Sequence, residues 1–310
     1  RRRGNSVETA GGDDVEIPWR RAPRESNVAG SRADVLVAGV FDGHGVAATK
    51  HWGRDVADAA CDLVAAHGGV AAHGVDGAAA AREDLVQRFE AFQARHEGKY
   101  DAQIAAEVDE RRAAFEAEHG FPAPRSLPPE GGSTATVVAL RGGALTVAWV
   151  GDSRCVLALR RDGAVVGEAL TRDHGPDHED EVRRCEAAGG VVDGRYVAAP
   201  QAEGLLQVTR SLGDRAHHID RVLLATPEVA TRDLSAADAA FVIVASDGLW
   251  HVHDDASAVA FVSDKLGAGV PSAAAVAAAA DALADDAKCR AAASADFSND
   301  DVCVVVVAFR

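Results

Sequence analysis

Four acids sit where an apolar run stops or is about to start. Asp42 follows Val35-Leu-Val-Ala-Gly-Val-Phe41 and precedes Gly43-His44-Gly45, and Asp152 follows Leu145-Thr-Val-Ala-Trp-Val150-Gly151. Asp247 lies between Phe241-Val-Ile-Val-Ala-Ser246 and Gly248, and Asp300 precedes Val302-Cys-Val-Val-Val-Val307. One such acid is usually a turn residue, and Asp42-Gly43-His44-Gly45 alone reads equally well as an Asp-Gly turn followed by a solvent-facing histidine. Four acids at the tips of strands too apolar for a surface imply a shared rim, where carboxylates repel one another unless a cation neutralises them. They come without a cysteine or histidine cluster, so all-oxygen ligation by Mg2+ or Mn2+ is expected rather than zinc or copper. Such sites hold two ions about 3.5–4 Å apart, bridged by a carboxylate and by a water acidic enough to attack a phosphate ester. His44, beside Asp42, supplies a proton donor.

The elements that must carry these acids follow from local pattern. After residues 1–33, which are polar and Arg-rich with a turn at Gly11-Gly12-Asp13-Asp14, strands are predicted to end at Asp42, Asp152 and Asp247 and to begin after Asp300. Small apolar residues at helical spacing over Val46–Ala66 predict a helix anchored by Trp52. Leu85, Phe89, Phe92, Ile104, Val108 and Phe115 predict one long or two consecutive helices over 78–119, inside a helical insert of about 62–130. The proline-rich stretch from Phe121 to Glu130 must be a loop. Ser133–Leu140, Ala144–Val150, Arg154–Leu159 and Val165–Leu170 read as one meander, with further strands at Leu205–Leu212, Phe241–Ala245 and Val302–Phe309. Helices are expected over Pro176–Ala188, 255–265 and 272–288. Strands in antiparallel runs, with helices grouped around them, argue for an α+β layered sandwich in a single domain spanning 1–310.

Composition narrows the class. In 310 residues, 47% are hydrophobic but only 5% aromatic, so valine and alanine must do most of the packing. A formal charge of −16 argues against a nucleic-acid partner, which would need a basic face. Five scattered cysteines without a C-x-x-C pair favour a reducing compartment, and Cys155 and Cys303 read as core residues. No apolar run reaches the roughly 18 residues of a membrane span. The absence of methionine implies that residue 1 is not a natural start and that the chain is a fragment.

Seven ordered motifs resemble the metal-dependent protein serine/threonine phosphatases of the type 2C family. They are Val40-Phe41-Asp42-Gly43-His44-Gly45, Gly132-Ser133-Thr134-Ala135, Val150-Gly151-Asp152-Ser153-Arg154, and Leu170-Thr171-Arg172-Asp173-His174 with Ala188-Gly189-Gly190. Leu206-Gln207-Val208-Thr209-Arg210-Ser211-Leu212-Gly213-Asp214, Ala245-Ser246-Asp247-Gly248-Leu249-Trp250 and Ser298-Asn299-Asp300-Asp301 complete the set. The resemblance implies a four-layer α-β-β-α sandwich, two antiparallel sheets flanked by helices, with two Mg2+ or Mn2+ ions in a cleft at one end. By the same resemblance Asp42 would bridge the ions, Gly43 would offer its carbonyl, Asp247 and Asp300 would complete one ion, and Glu8 the other. His44 would protonate the departing alkoxide, and Arg3 would grip the phosphate.

The implied function is hydrolysis of phosphoserine and phosphothreonine in proteins, the implied partners phosphorylated proteins, and the location intracellular, cytoplasmic or nuclear. A catalytically weak binding or regulatory protein is the alternative, motivated by Thr9 and His251 among the departures from the family pattern, whereas the change at Asp301 is expected to be tolerated. Thr9 stands where an acid is usual, Arg3 lies one residue further from Glu8 than usual, and Asp301 replaces an asparagine. His251 also replaces an acid, which makes a third ion, held partly by Asp152, doubtful. Asp173-His174 is expected to start the following helix, Arg210 and Asp214 to pack beneath the site, and His217, His218, His251 and His253 to be surface histidines.

Overall fold

The computed structural model describes residues 8–10, 26–32, 35–45, 53–58, 60, 78–120, 131–141, 143–202, 204–234, 238–294 and 300–309. Its centre is a pair of facing five-stranded sheets. One is built from β1 (Glu8–Ala10), β8 (Arg154–Arg161), β9 (Ala164–Ala169), β14 (Ala239–Ala245) and β15 (Val304–Phe309), in the order β1-β15-β14-β8-β9. The other has β2 (Ser26–Arg32), β3 (Val35–Phe41), β6 (Ala135–Arg141), β7 (Ala144–Val150) and β13 (Glu228–Asp233), in the order β13-β7-β6-β3-β2. All these pairings are antiparallel except β1 with β15, which is parallel.

The inner strands β7, β14 and β15 are apolar nearly throughout because both faces of the sheets are covered there. Along β14, Val242 and Val244 point into the sandwich with Val305, Val307, Leu157 and Trp149, while Phe241, Ile243 and Ala245 point outward against helices. That two-residue alternation is the pleat itself. On the outer side α5 (Asp255–Leu266) and α6 (Ala273–Ala293) close the layer, capped by Asp254 and Ser272, whose side chains accept from the backbone of Ser257 and Ala275. Val276, Ala279, Ala280, Leu283, Ala284 and Ala287 form the buried stripe of α6, at a spacing only a helix brings to one face. Over the opposite sheet lie the helical residues 53–58 and a single helix α1 (Ala78–His119), with Leu85, Phe89 and Phe92 buried against β3, β6 and β7. The expected α+β sandwich is the observed one.

Two local expectations are corrected. The meander over 133–170 is two hairpins in different sheets: β6 pairs with β7 in one and β8 with β9 in the other. The chain crosses between the sheets at residues 151–153, because unbroken hairpins would leave one sheet without a partner to cover its inner face. Leu205–Leu212 is not a strand; it makes isolated bridges at Leu206 and Arg210 and ends in the two-residue β12 (Leu212–Gly213). Val208, with Leu206 against it, instead lines a satellite core, packing with Val197 and Val222 and with Cys185 of α2 (Glu179–Ala187). The predicted helix over Val46–Ala66 and loop over 121–130 lie largely or wholly outside the described residues, as do the side chains of Ile104, Val108 and Phe115.

Candidate metal centre

Asp42 leaves β3 at one end of the sandwich, and its backbone is held on both sides by Thr134. The Asp42 N–H donates to Thr134 Oγ1 at 3.2 Å, and the Thr134 N–H donates to the Asp42 carbonyl at 2.9 Å. Thr134 Oγ1 also lies 2.7 Å from Ser153 Oγ, and Thr136 donates to the Ser153 carbonyl. Three polar side chains buried at 2% exposure or less thus tie the strand carrying Asp42 to the crossing that carries Asp152. Buried hydroxyls persist only when paired, so this knot fixes geometry.

Asp152 sits on the crossing itself. Gly151 adopts φ +94°, and a Cβ there would stand 2.6 Å from the Thr134 side chain, so the turn requires glycine. The buried His174 stacks on Trp149 and brackets Gly151, accepting from its N–H at Nδ1 (3.2 Å) and donating its own N–H to the Gly151 carbonyl (2.9 Å). Arg154 donates two hydrogen bonds to Asp173 and one to Asp255, with its guanidinium over Trp250. Asp173-His174 therefore secures the crossing rather than starting a helix; α2 begins at Glu179.

Asp247 opens the one-turn helix α4 (Asp247–Trp250) directly after β14. Ser246 donates to the Asp301 carbonyl and accepts from the Cys303 N–H, pinning this turn against the one that carries Asp300. Carboxylates from four separate stretches thereby converge. Burial first, and then Asp247, Asp152 and Asp300, hold the Asp42 carboxyl well above its ordinary range, and its side chain is close enough to Asp247 to share a hydrogen bond. Burial with Asp247 and Asp173 pushes Asp152 up to about 8, and burial with Asp247 raises Asp300. Asp247 Oδ1 is buried with no hydrogen-bond partner among the described residues. Asp247, His251 and Asp300 each offer a ligand atom, all within 4.8 Å of one another. His251 is exposed as expected, yet it stands at the rim rather than apart from it.

His44 occupies β4 (Gly43–Gly45), in a small sheet with β5 (Gly131–Ser133) and β12. Its Nε2 lies 2.7 Å from Oδ2 of Asp214, a carboxylate 2% exposed. Burial lowers the basicity of the ring, but the Asp214 carboxylate overrides it and raises the pKa of His44. Asp214, expected only to pack beneath the site, instead contacts His44 directly. The available signal was the Gly213-Asp214 dipeptide, the same glycine-acid pattern as Gly151-Asp152. His217 and His253 are corrected from surface to buried positions; His253 pairs with Asp286 at 2.9 Å and belongs to the helix packing. Glu8 lies in β1 in register with Val307, and its side chain is outside the described residues, as is all of Arg3.

Comparison with known proteins agrees with this geometry. The family model described as Protein phosphatase 2C matches residues 23–295. The chain is 41% identical over 137 residues to Probable protein phosphatase 2C 11 of Arabidopsis thaliana, covering 44% of this chain and 34% of that protein. It is 37% identical over 137 residues to Protein phosphatase 1L of Bos taurus, covering 44% and 37%. The matched stretch therefore spans little more than a third of these relatives. Among solved structures, serine-threonine phosphatase 2C from Toxoplasma gondii superposes with a TM-score of 0.60 at 20% identity, covering 94% of this chain and 91% of that one. A C. elegans sex determining protein gives 0.60 at 20% identity, covering 94% and 63%. At such identity the structures speak to the fold alone.

Proposed function

The chain belongs to the protein phosphatase 2C family, and from that premise we propose that it is a Mg2+- or Mn2+-dependent phosphatase acting on phosphoserine and phosphothreonine in proteins. The observation that carries this reading is the convergence of Asp42, Asp152, Asp247 and Asp300, whose crowding raises the carboxyls of Asp42, Asp152 and Asp300.

The residues present fit a divalent ion. The orphaned Asp247 Oδ1 is a desolvated acceptor, costly by about 1–3 kcal/mol unless something binds it. The donor set is carboxylate oxygen with one imidazole, which suits a hard or borderline cation. Asp42, Asp247 and Asp300, with the Gly43 carbonyl and Glu8, would hold two ions, with Asp152 beside them. Bound there, the ions would neutralise the phosphoryl oxygens and activate the attacking water. His44 would give a proton to the departing serine or threonine oxygen, and Arg3 would orient the phosphate. His251 brings nitrogen to a position where the family has an acid, which favours Mn2+ over Mg2+.

The test is hydrolysis of a phosphothreonine peptide with Mn2+, with Mg2+ and with EDTA, alongside Asp247→Asn. Metal-dependent turnover lost with EDTA and with the substitution is the expected result. A protein that binds Mn2+ by calorimetry yet turns over no peptide would replace this reading with the catalytically weak binding protein.

A further inference from the structure

The small sheet of β4, β5 and β12 places three residues side by side. His44 is in register with Gly132 on one side, and Gly213 is in register with Gly132 on the other. Asp214, next to Gly213, must reach across Gly132 to meet His44. A Cβ at Gly132 would stand 2.0 Å from Asp214 Oδ2, the same oxygen that contacts His44 Nε2. Glycine at 132 is therefore the gap through which this carboxylate passes.

The carboxylate is also held from behind. Ser211 donates to Asp214 Oδ2 at 2.6 Å, and the Asp214 N–H donates to the Gly131 carbonyl at 3.1 Å. Asp214 itself is at φ +40°, a conformation disfavoured for a residue with a side chain, so the surroundings impose it. Gln93 of α1 supplies part of that constraint. Its side-chain amide accepts from the Gly213 N–H at 2.8 Å and donates to the Gly213 carbonyl at 2.9 Å, as a neighbouring strand would. Gln93 is 6% exposed, so neither bond is exchanged for water.

We propose that Asp214 is the positioning residue for His44: it holds the ring by Nε2 and leaves Nδ1 as the nitrogen that passes a proton to the leaving group, with α1 supporting it through Gln93. This rests on the phosphatase reading for what the proton is used for, but not for the geometry. Water forms the new phosphorus–oxygen bond as the bond to the serine or threonine oxygen breaks, and that departing oxygen takes the Nδ1 proton of the His44 imidazolium, leaving a neutral ring still protonated on Nε2. A carboxylate on Nε2 keeps that nitrogen protonated and stops the ring rotating, the role a buried acid plays behind a working histidine.

General-acid assistance matters for a poor leaving group and little for a good one. Asp214→Asn, which is isosteric, is expected to lower kcat on a phosphothreonine peptide at least about 10-fold more than on p-nitrophenyl phosphate, with Mn2+ affinity measured in parallel. Gln93→Leu should show the same asymmetry more weakly. Equal losses on both esters would overturn the proposal, because they would mark a structural role. The second measurement needs no turnover: 15N spectra of histidine-labelled Mg2+-loaded wild-type protein, with a His44→Gln sample used only to assign the His44 signals. The donating form, protonated on both nitrogens, is expected at low pH, and on deprotonation the ring should keep its proton on Nε2; a neutral ring that keeps Nδ1–H instead would overturn the assignment. A wild-type protein inactive on both esters sinks the phosphatase reading, while the tautomer still decides this one.

Discussion

Two acidic regions of this molecule are built on opposite principles. At the rim, Asp42, Asp152, Asp247 and Asp300 face one another, and burial and mutual repulsion raise the carboxyls of Asp42, Asp152 and Asp300. Beneath the satellite core, Glu181 is more deeply buried, at 2% exposure, but is clamped by two guanidinium groups. Arg210 donates twice to its Oε1 and Arg184 donates to its Oε2 at 2.7 Å, while the same arginines cap the carbonyls of Thr209, Val222 and Thr226. Burial would raise the Glu181 pKa, yet Arg210 and Arg184 hold it at about 2. One region keeps its charge unsatisfied and so is available to a cation. The other satisfies its charge internally and so joins α2 to the segment that leads into Asp214.

The sharpest way to break this contrast is Asp42→Asn. Activity should fall about 10³-fold or more, since several kcal/mol of transition-state stabilisation depends on the site. The metal-free protein should melt at a higher temperature, because one repelling charge is gone. A lower melting temperature would mean that the rim is not strained. The mirror experiment is Glu181→Gln, which leaves two half-buried arginines without their anion. It should destabilise the fold by about 3 kcal/mol, read by urea denaturation, without changing Mn2+ affinity. A change in affinity with stability intact would show that the two regions are not separable.

Acidity separates the regions in opposite directions. Glu181 has its folded pKa below its unfolded one, so its contribution is present above the ordinary glutamate range and is lost as pH falls towards about 2. Asp152 has its folded pKa raised to about 8, so in metal-free protein its contribution declines as pH rises from the ordinary aspartate range to about 8. Thermal melts across this range, with and without Mg2+, should show the alkaline decline disappear when the ion is present and the acid decline persist. The smallest expected effect sharpens the rim itself: His251→Asp should shift the Mn2+ to Mg2+ affinity ratio towards Mg2+ by about 10-fold, since imidazole favours the later metal. Isothermal titration with both ions measures it, and an unchanged ratio would place His251 outside the ligand set.

Much of this was legible in the chain. The apolar runs that end in an acid or follow one are strands, and the caps at Asp254 and Ser272 begin helices where the pattern placed them. What misled was local pattern without context. Val208 and Leu212 look like strand residues, but they are apolar because they serve a satellite core and a two-residue strand. His217 and His253 look like polar surface residues, yet a buried histidine is written no differently from an exposed one. Asp214 looks like a turn residue because a turn is where it sits.

By itself, then, the sequence determined the family, the strand ends and the acids that stand on them, because hydrophobic periodicity and glycine-acid junctions act over a few residues. Only the tertiary structure decided that the hairpins of residues 135–150 and 154–169 belong to different sheets, so that Asp152 falls at the crossing. Only it decided that Asp214 reaches His44, 170 positions away, through the space a glycine leaves at 132. Such partnerships depend on which strands neighbour one another, and that choice is made by the packing of whole layers rather than by any residue's local preference.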